Sequence, residues 1–232
     1  MLGRRVIAEE LMDADDLDPT TYAAVVHDLA KVNTVTLTRR PTMNFIARLA
    51  RDRADKSGPL HILDVGFGDG DMLRAIARWS AKNSVAVSLT GIDLNPRSLA
   101  AAREATPTEM TIDWRIGDYA SLASGNWDAI ISSLVAHHMT RAQLIAFLRF
   151  MDAEARLGWL VNDLHRHGFA YRGFPLLARI AGWHPIVRHD GQLSIARSYR
   201  PYEWPALLDE AGVIGAHVYR AFPFRLCVEK RR

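Results

Sequence analysis

The stretch His61-Ile-Leu-Asp-Val-Gly-Phe-Gly-Asp-Gly-Asp71 decides how the chain is read. Leu60 to Val65 is a short apolar run of the kind that forms a buried strand, and glycines 66, 68 and 70 follow it directly. A residue without a Cβ lets the backbone turn sharply and approach a ligand closely. Beyond the glycines, Met72, Leu73, Ile76, Ala77 and Trp79 recur at helical spacing, so the segment reads as strand, tight turn and helix. A dinucleotide-binding turn wants a small residue at position 71 and a helix start free for pyrophosphate. Here Asp69 and Asp71 stand at that helix start and would repel a diphosphate. No Gly-Lys-Ser/Thr follows, which excludes a P-loop.

Outward from this turn the strand-then-helix order repeats. Val85 to Asp93 reads as a second strand, followed by a helix over Pro96 to Ala105 with Pro96 suited to its first turn. Met110 to Ile116, Trp127 to Ser132 and Leu157 to Leu164 read as further strands, with a helix over Arg141 to Ala153. Upstream, Tyr22, Val25, Val26, Leu29 and Val32 mark one amphipathic helix, and Met43, Phe45, Ile46 and Leu49 mark another that ends at Ser57-Gly58-Pro59. Downstream, Pro201 to Ala211 reads as a helix capped by Gly212, and Val213 to Ala221 with Phe224 to Glu229 as a closing antiparallel hairpin.

The expected fold is therefore α/β: a doubly wound, Rossmann-like, mostly parallel seven-stranded sheet with an antiparallel C-terminal hairpin. One domain over 1–232 is expected, with an N-terminal helical cap over 1–57, a cofactor-binding core over 60–164 and a closing helix and hairpin over 201–232. Between them, 165–200 is rich in His, Arg and aromatic residues and reads as an inserted lid after the fifth strand.

Composition narrows the setting. The 232 residues carry 29 Lys and Arg against 26 Asp and Glu, a net charge of +3 that is scattered and gives no nucleic-acid surface. A single cysteine, Cys227, excludes an intramolecular disulfide framework and a Cys-rich zinc site. The first ten residues hold no apolar run long enough for a signal peptide, and no stretch approaches the roughly 20 apolar residues of a membrane span. A cytoplasmic protein is expected, and a homodimer is left open.

The ordered series Leu63-Asp-Val-Gly-Phe-Gly-Asp-Gly70, Gly91-Ile-Asp-Leu-Asn95, Ile116-Gly-Asp-Tyr119 and Trp127-Asp-Ala-Ile-Ile-Ser-Ser-Leu-Val-Ala-His-His138 resembles the motifs of class I S-adenosylmethionine-dependent methyltransferases. The resemblance implies S-adenosyl-L-methionine as cofactor. It implies that Gly66 and Gly68 lie along its methionine part, that Asp93 accepts the ribose hydroxyls and that Asp118 accepts the adenine amino group. Leu94 and Tyr119 would flank the adenine, and Asp64 would orient the ammonium. Ser133, or Ser132 beside it, would face the methionyl group, and Arg40, or its neighbour Arg39, would take the carboxylate. More narrowly, Val161-Asn-Asp-Leu-His-Arg-His167 and Arg188-His-Asp-Gly191 resemble bacterial methyltransferases associated with aromatic polyketide and other secondary metabolism. No Asn-Pro-Pro-Tyr-type target-base motif follows the fourth strand, which disfavours nucleic-acid methylation.

Methyl transfer from a sulfonium is an in-line displacement, so the protein has to align the partners and exclude water. A phenol, with a pKa near 10, is helped at neutral pH by a general base such as His. His138 and His189 are the candidates. His189 stands beside Asp190 in what reads as a polar loop, Arg188 to Gln192, inside an otherwise apolar lid. No metal is expected, since Asp163 has no evident carboxylate partners. The apolar lid residues Phe169 to Trp183 point to a small hydrophobic or aromatic substrate. The reading is O-methylation of a phenolic acceptor with a His base. C-methylation of a quinone-type ring and a catalytically silent cofactor-binding subunit are the alternatives.

Overall fold

The computed structural model describes residues 2–14 and 16–232. Seven strands form one sheet: β1 (Leu60–Val65), β2 (Val87–Asp93), β3 (Asp113–Ile116), β4 (Ala129–Ser133), β5 (Gly158–Leu164), β6 (His217–Ala221) and β7 (Arg225–Arg231). Their order is β3-β2-β1-β4-β5-β7-β6, parallel throughout except that β7 runs antiparallel to both β5 and β6. The strand sequence reverses direction between β1 and β4, where Asp64 pairs with Ile131. Such a switch point opens a crevice at the carboxyl ends of the strands.

The central strands read as nearly continuous apolar runs because both faces of the sheet are covered. Leu60 and Ile62 of β1 face one core with Phe45, Leu73 and Ile76. Leu63 and Val65, alternating with them, face the other with Phe147, Trp159 and Trp204. The first core is roofed by α2 (Arg39–Asp52) and α3 (Asp71–Asn83), the second by α5 (Arg141–Glu154) and α8 (Trp204–Ala211). Helix α4 (Pro96–Ala105) starts where the Asn95 side chain accepts the Arg97 N–H, and α5 starts on a reciprocal Thr140–Gln143 capping box. Gly212 closes α8 in the left-handed conformation expected of it.

A third, smaller core joins the N-terminal and inserted elements. Val25 and Val32 of α1 (Pro19–Val35) pack on Ala178 of α6 (Gly168–Ile180), on Trp183, and on Val187 of α7 (Pro185–Arg197). The 165–200 insertion is thus a helical hairpin bound to the N-terminal cap. Arg188 to Gln192, read from sequence as a polar loop, lies inside α7. The helix passes there because Gly191 lets α6 come close: a Cβ at that position would stand 2.1 Å from the Phe174 ring. The strands begin later than their apolar runs, β2 at Val87, β3 at Asp113 and β4 at Ala129. No described helix is long and apolar enough to cross a membrane.

Candidate active site

The ends of β1, β2 and β4 open into a cavity of about 650 Å³ whose roof is formed by residues 10–13, α1, α6 and α7. Its floor is the glycine turn. Gly66 holds φ +78°, and a Cβ there would lie 2.4 Å from Val135 Cγ2, so the chain has no room for a side chain where β1 meets the loop after β4. Asp64 and Asp93 stand at the two neighbouring strand ends. Oδ2 of Asp93 accepts the Gly68 N–H at 2.9 Å and Oδ1 accepts the Asn95 N–H at 2.8 Å, which aims the carboxylate across the turn. Asp64 is almost fully buried and its Oδ1 has no hydrogen-bond partner among the described residues. Burial, reinforced by the charges of Asp71 and Asp93, raises its pKa well above the usual carboxylate range. A cationic group beside it would relieve that strain.

Leu94 and Tyr119 line the same end of the cavity, and the Tyr119 ring is fixed against Phe147 and Phe150 at centroid distances of 4.9 and 4.8 Å. Ser133 is on the wall, its Oγ 3.5 Å from Thr42 Oγ1. Ser132 points the other way and donates to the Val65 carbonyl. Sequence alone had not singled out Tyr22, whose hydroxyl lies 3.3 Å from Ser98 Oγ and accepts from Asn95 Nδ2, closing α1 over α4 beside Asp93.

Three expected positions fall elsewhere. Arg40 is exposed and borders a separate shallow depression, whereas Arg39 lines the cavity and pairs with Asp71 at 3.5 Å. Successive helical residues are rotated by about 100°, so only one of the two can face inward. Asp118 is exposed, caps the turn at Tyr119–Leu122 by accepting the Ala120 N–H at 2.8 Å, and is not on the cavity wall. His189 does sit 2.8 Å from Asp190 Oδ1, but it faces outward from α7 and off the cavity. Asp190 is the inward residue of that pair, accepting the N–H groups of Leu11 and Met12 at 3.0 and 2.9 Å. The two roles follow from α7 being a helix rather than a loop.

The other end of the cavity holds His137 and His138, on the turn after β4. His138 lines the wall with its side chain about one-third exposed, its Nε2 3.7 Å from Glu10 Oε1 and its Nδ1 3.5 Å from Asp13 Oδ2. His137 is buried beside it: its N–H donates to Asp163 Oδ2 at 2.8 Å and its Nδ1 lies 2.7 Å from Oδ1. Asp163, which sequence left without a partner, thus clamps the turn that carries both imidazoles. Burial disfavours a charged His137 ring, but the Asp163 charge and hydrogen bond, with Glu10, outweigh it and push the imidazole up to about 9. Burial likewise opposes charge on Glu10, yet the facing His137 and His138 rings and the Ser194 hydroxyl hold it at about 2.

Glu10 is brought there by a strap that sequence reading missed. Arg5 donates from Nε to the Arg197 carbonyl at 2.6 Å and from Nη2 to the His137 carbonyl at 3.1 Å, with its guanidinium 3.8 Å above the Tyr199 ring. Asp190 holds the following turn, so residues 5–13 are pinned across α7 with Glu10 pointing inward. Nothing in the local pattern of 5–13 announces this, because every anchor lies more than 130 residues away in sequence.

A family model described as a methyltransferase domain matches residues 62–154. No curated protein sequence matches the chain. Among solved structures, the plantazolicin methyltransferase BpumL in complex with SAH superposes at TM-score 0.63 with 16% identity, over 95% of this chain and 91% of that one. The plantazolicin methyltransferase BamL superposes at TM-score 0.64 with 14% identity, over 86% and 71%. Human N-acetylserotonin methyltransferase in complex with SAM superposes at TM-score 0.62 with 18% identity, over 98% of this chain and 60% of that one. The glycine turn, the strand-end carboxylates and the two histidines all fall inside the segment that matches the methyltransferase-domain model, and the chain as a whole shares the fold of these methyltransferase structures.

Proposed function

We propose that this protein transfers a methyl group from S-adenosylmethionine to the oxygen of a small, hydrophobic, phenolic acceptor, with His138 as general base. The observation that carries the reading is one cavity with two chemically distinct ends. One end holds the strand-end carboxylates and the glycine turn, and the other presents an imidazole backed by a buried carboxylate among apolar side chains.

The residues present suit the cofactor. The unpartnered Asp64 Oδ1 is a ready acceptor for an ammonium group. Asp93 is oriented by two backbone N–H groups toward where ribose hydroxyls would bind, and at Gly68, where a Cβ would meet nothing within 4 Å, the turn is open to close approach. Arg39 is the cation for the carboxylate, while Leu94 and Tyr119 form the adenine end. When bound, the cofactor supplies an electrophilic methyl group on a sulfonium.

The chain's own residues then align the acceptor and handle one proton. Val25, Leu29, Phe174 and Ile195 line the same cavity and would exclude water around the acceptor. His138 Nε2 takes the phenolic proton, and the negative charge of Glu10, 3.7 Å away, stabilises the imidazolium that forms. The aromatic acceptor for which N-acetylserotonin methyltransferase is named, and the plantazolicin enzymes, support an acceptor of the secondary-metabolite kind. The single domain over 1–232, working as a cytoplasmic enzyme, belongs to the same proposal.

The test is a methyl-release assay over a panel of phenols and quinones with wild-type protein and His138→Ala. A phenol methylated on oxygen by the wild type, with kcat at least 100-fold lower in the variant and cofactor affinity intact, supports the reading. Turnover confined to ring carbon of quinones, or a variant active within threefold, overturns it. Cofactor binding without any turnover identifies a silent subunit.

A further inference from the structure

The outer face of α6 is an exposed apolar stripe, and among the described residues no element packs over Leu176 and Ile180. Phe169, Gly173, Leu176 and Ile180 fall within roughly 60° of one another at 100° per residue, and the three large side chains are 78%, 62% and 77% exposed. The opposite face is accounted for, since Ala178 and Phe174 pack on the third core. Arg172 and Arg179 lie together along one flank of the stripe, both exposed. From 164 to 189 the chain has four arginines and no acidic residue, in a protein that is otherwise close to charge-balanced. One of the four, Arg166, is buried and paired with Glu203, so the outward charge comes from the helix.

The patch also continues to the rim of the cavity. His167 stacks on Phe169 and on Phe224 at centroid distances of 6.3 and 5.1 Å, linking the start of α6 to the β6–β7 turn, where Phe222 is 75% exposed. Phe169 and Phe224 line the cavity themselves. An apolar surface with a basic flank, sharing Phe169 and Phe224 with the wall of an apolar cavity, has the chemistry of an interfacial helix rather than of a solvated lid.

We infer that α6 docks on an anionic lipid surface, with Leu176 and Ile180 inserted at the headgroup boundary and Arg172 and Arg179 against lipid phosphates. A second copy of the chain suits the face less well: two-fold pairing of α6 on α6 brings basic flanks together with no acidic residue in the segment to receive them. Docking in this way puts the cavity mouth against the bilayer, from which a lipophilic acceptor can move without crossing water. The inference concerns the lid surface alone and does not depend on the reaction proposed above.

The experiment is co-sedimentation of the full chain with vesicles of phosphatidylcholine alone and with 30% phosphatidylglycerol, at about 0.1 M salt. Binding to the anionic vesicles about tenfold or more tighter than to the neutral ones, weakening with salt, is expected from two arginines at the surface. L176D/I180D should lose at least tenfold on both lipids, and R172E/R179E should lose the anionic preference. Both variants should keep the thermal shift produced by S-adenosylhomocysteine, which shows that they fold. No wild-type binding at millimolar lipid, or L176D/I180D binding as tightly as wild type, overturns the inference. So does a wild-type dimer that fails to bind vesicles and that L176D/I180D converts to monomer, which would assign the face to self-association.

Discussion

Glu10→Gln tests whether the buried strap carboxylate acts in the reaction or only holds the fold. The substitution keeps an acceptor for the Ser194 hydroxyl, which lies 2.7 Å from Oε1, and removes the negative charge that His137, His138 and Arg197 all face. At 3.7 Å from His138 Nε2, that charge is worth about 4 kcal/mol to an imidazolium at an effective dielectric near 20. His138 is partly exposed, so solvent reduces the figure to roughly 2 to 3 kcal/mol, a loss of about 30- to 150-fold in kcat. The assay is steady-state methyl transfer to the best phenol of the panel, with S-adenosylhomocysteine affinity measured separately. A purely structural role would lower the melting temperature and leave kcat unmoved. A variant with kcat within threefold of wild type refutes the reasoning.

The remaining predictions concern the cofactor end, the lid and the buried ion pair. Asp93→Ala should abolish the rise in melting temperature that S-adenosylhomocysteine gives the wild type, because the mutation removes the carboxylate oriented by Gly68 and Asn95. Arg39→Ala should weaken that ligand by about tenfold, while Arg40→Ala should leave it unchanged, as isothermal titration will resolve. Gly191→Ala should cost about 1 to 3 kcal/mol in urea unfolding by forcing the Phe174 ring off its site, without loss of cofactor binding. Folding raises His137 from 6.5 to about 9, so its stabilising contribution is complete below pH 6.5 and is lost as pH rises through 9. Urea midpoints should fall across that interval for the wild type and stay flatter for His137→Gln.

The alternation of β1 shows why the core was legible. Strand period, glycine turn and helix period are local signals, and one face of β1 is buried by the sequence-adjacent α2 and α3, so the run from Leu60 to Asn83 marks its own strand, turn and helix even though the other face is covered by the distant α5 and α8. The placement of Asp64 and Asp93 at or next to a strand end was legible for the same reason: each strand's end is marked by the turn that follows it. Arg40 and Asp118 were not, because a one-residue choice on a helix and the use of a carboxylate as a cap depend on which face the rest of the chain covers. The Arg188–Gln192 segment looked like a loop because His189, Asp190 and Gly191 in succession are poor helix formers; tertiary packing against Phe174 and the strap overrides that preference.

Periodicity and turn chemistry within about 30 residues were enough to specify the doubly wound sheet, the crevice and the carboxylates near its strand ends. The cluster around His138 needed the folded chain. Glu10, His138, Asp163 and Asp190 come from four distant segments, and no local pattern links them. They meet because the third core binds α1 to α6 and α7 and the strap crosses α7, burying charges that are stable there only in one another's company.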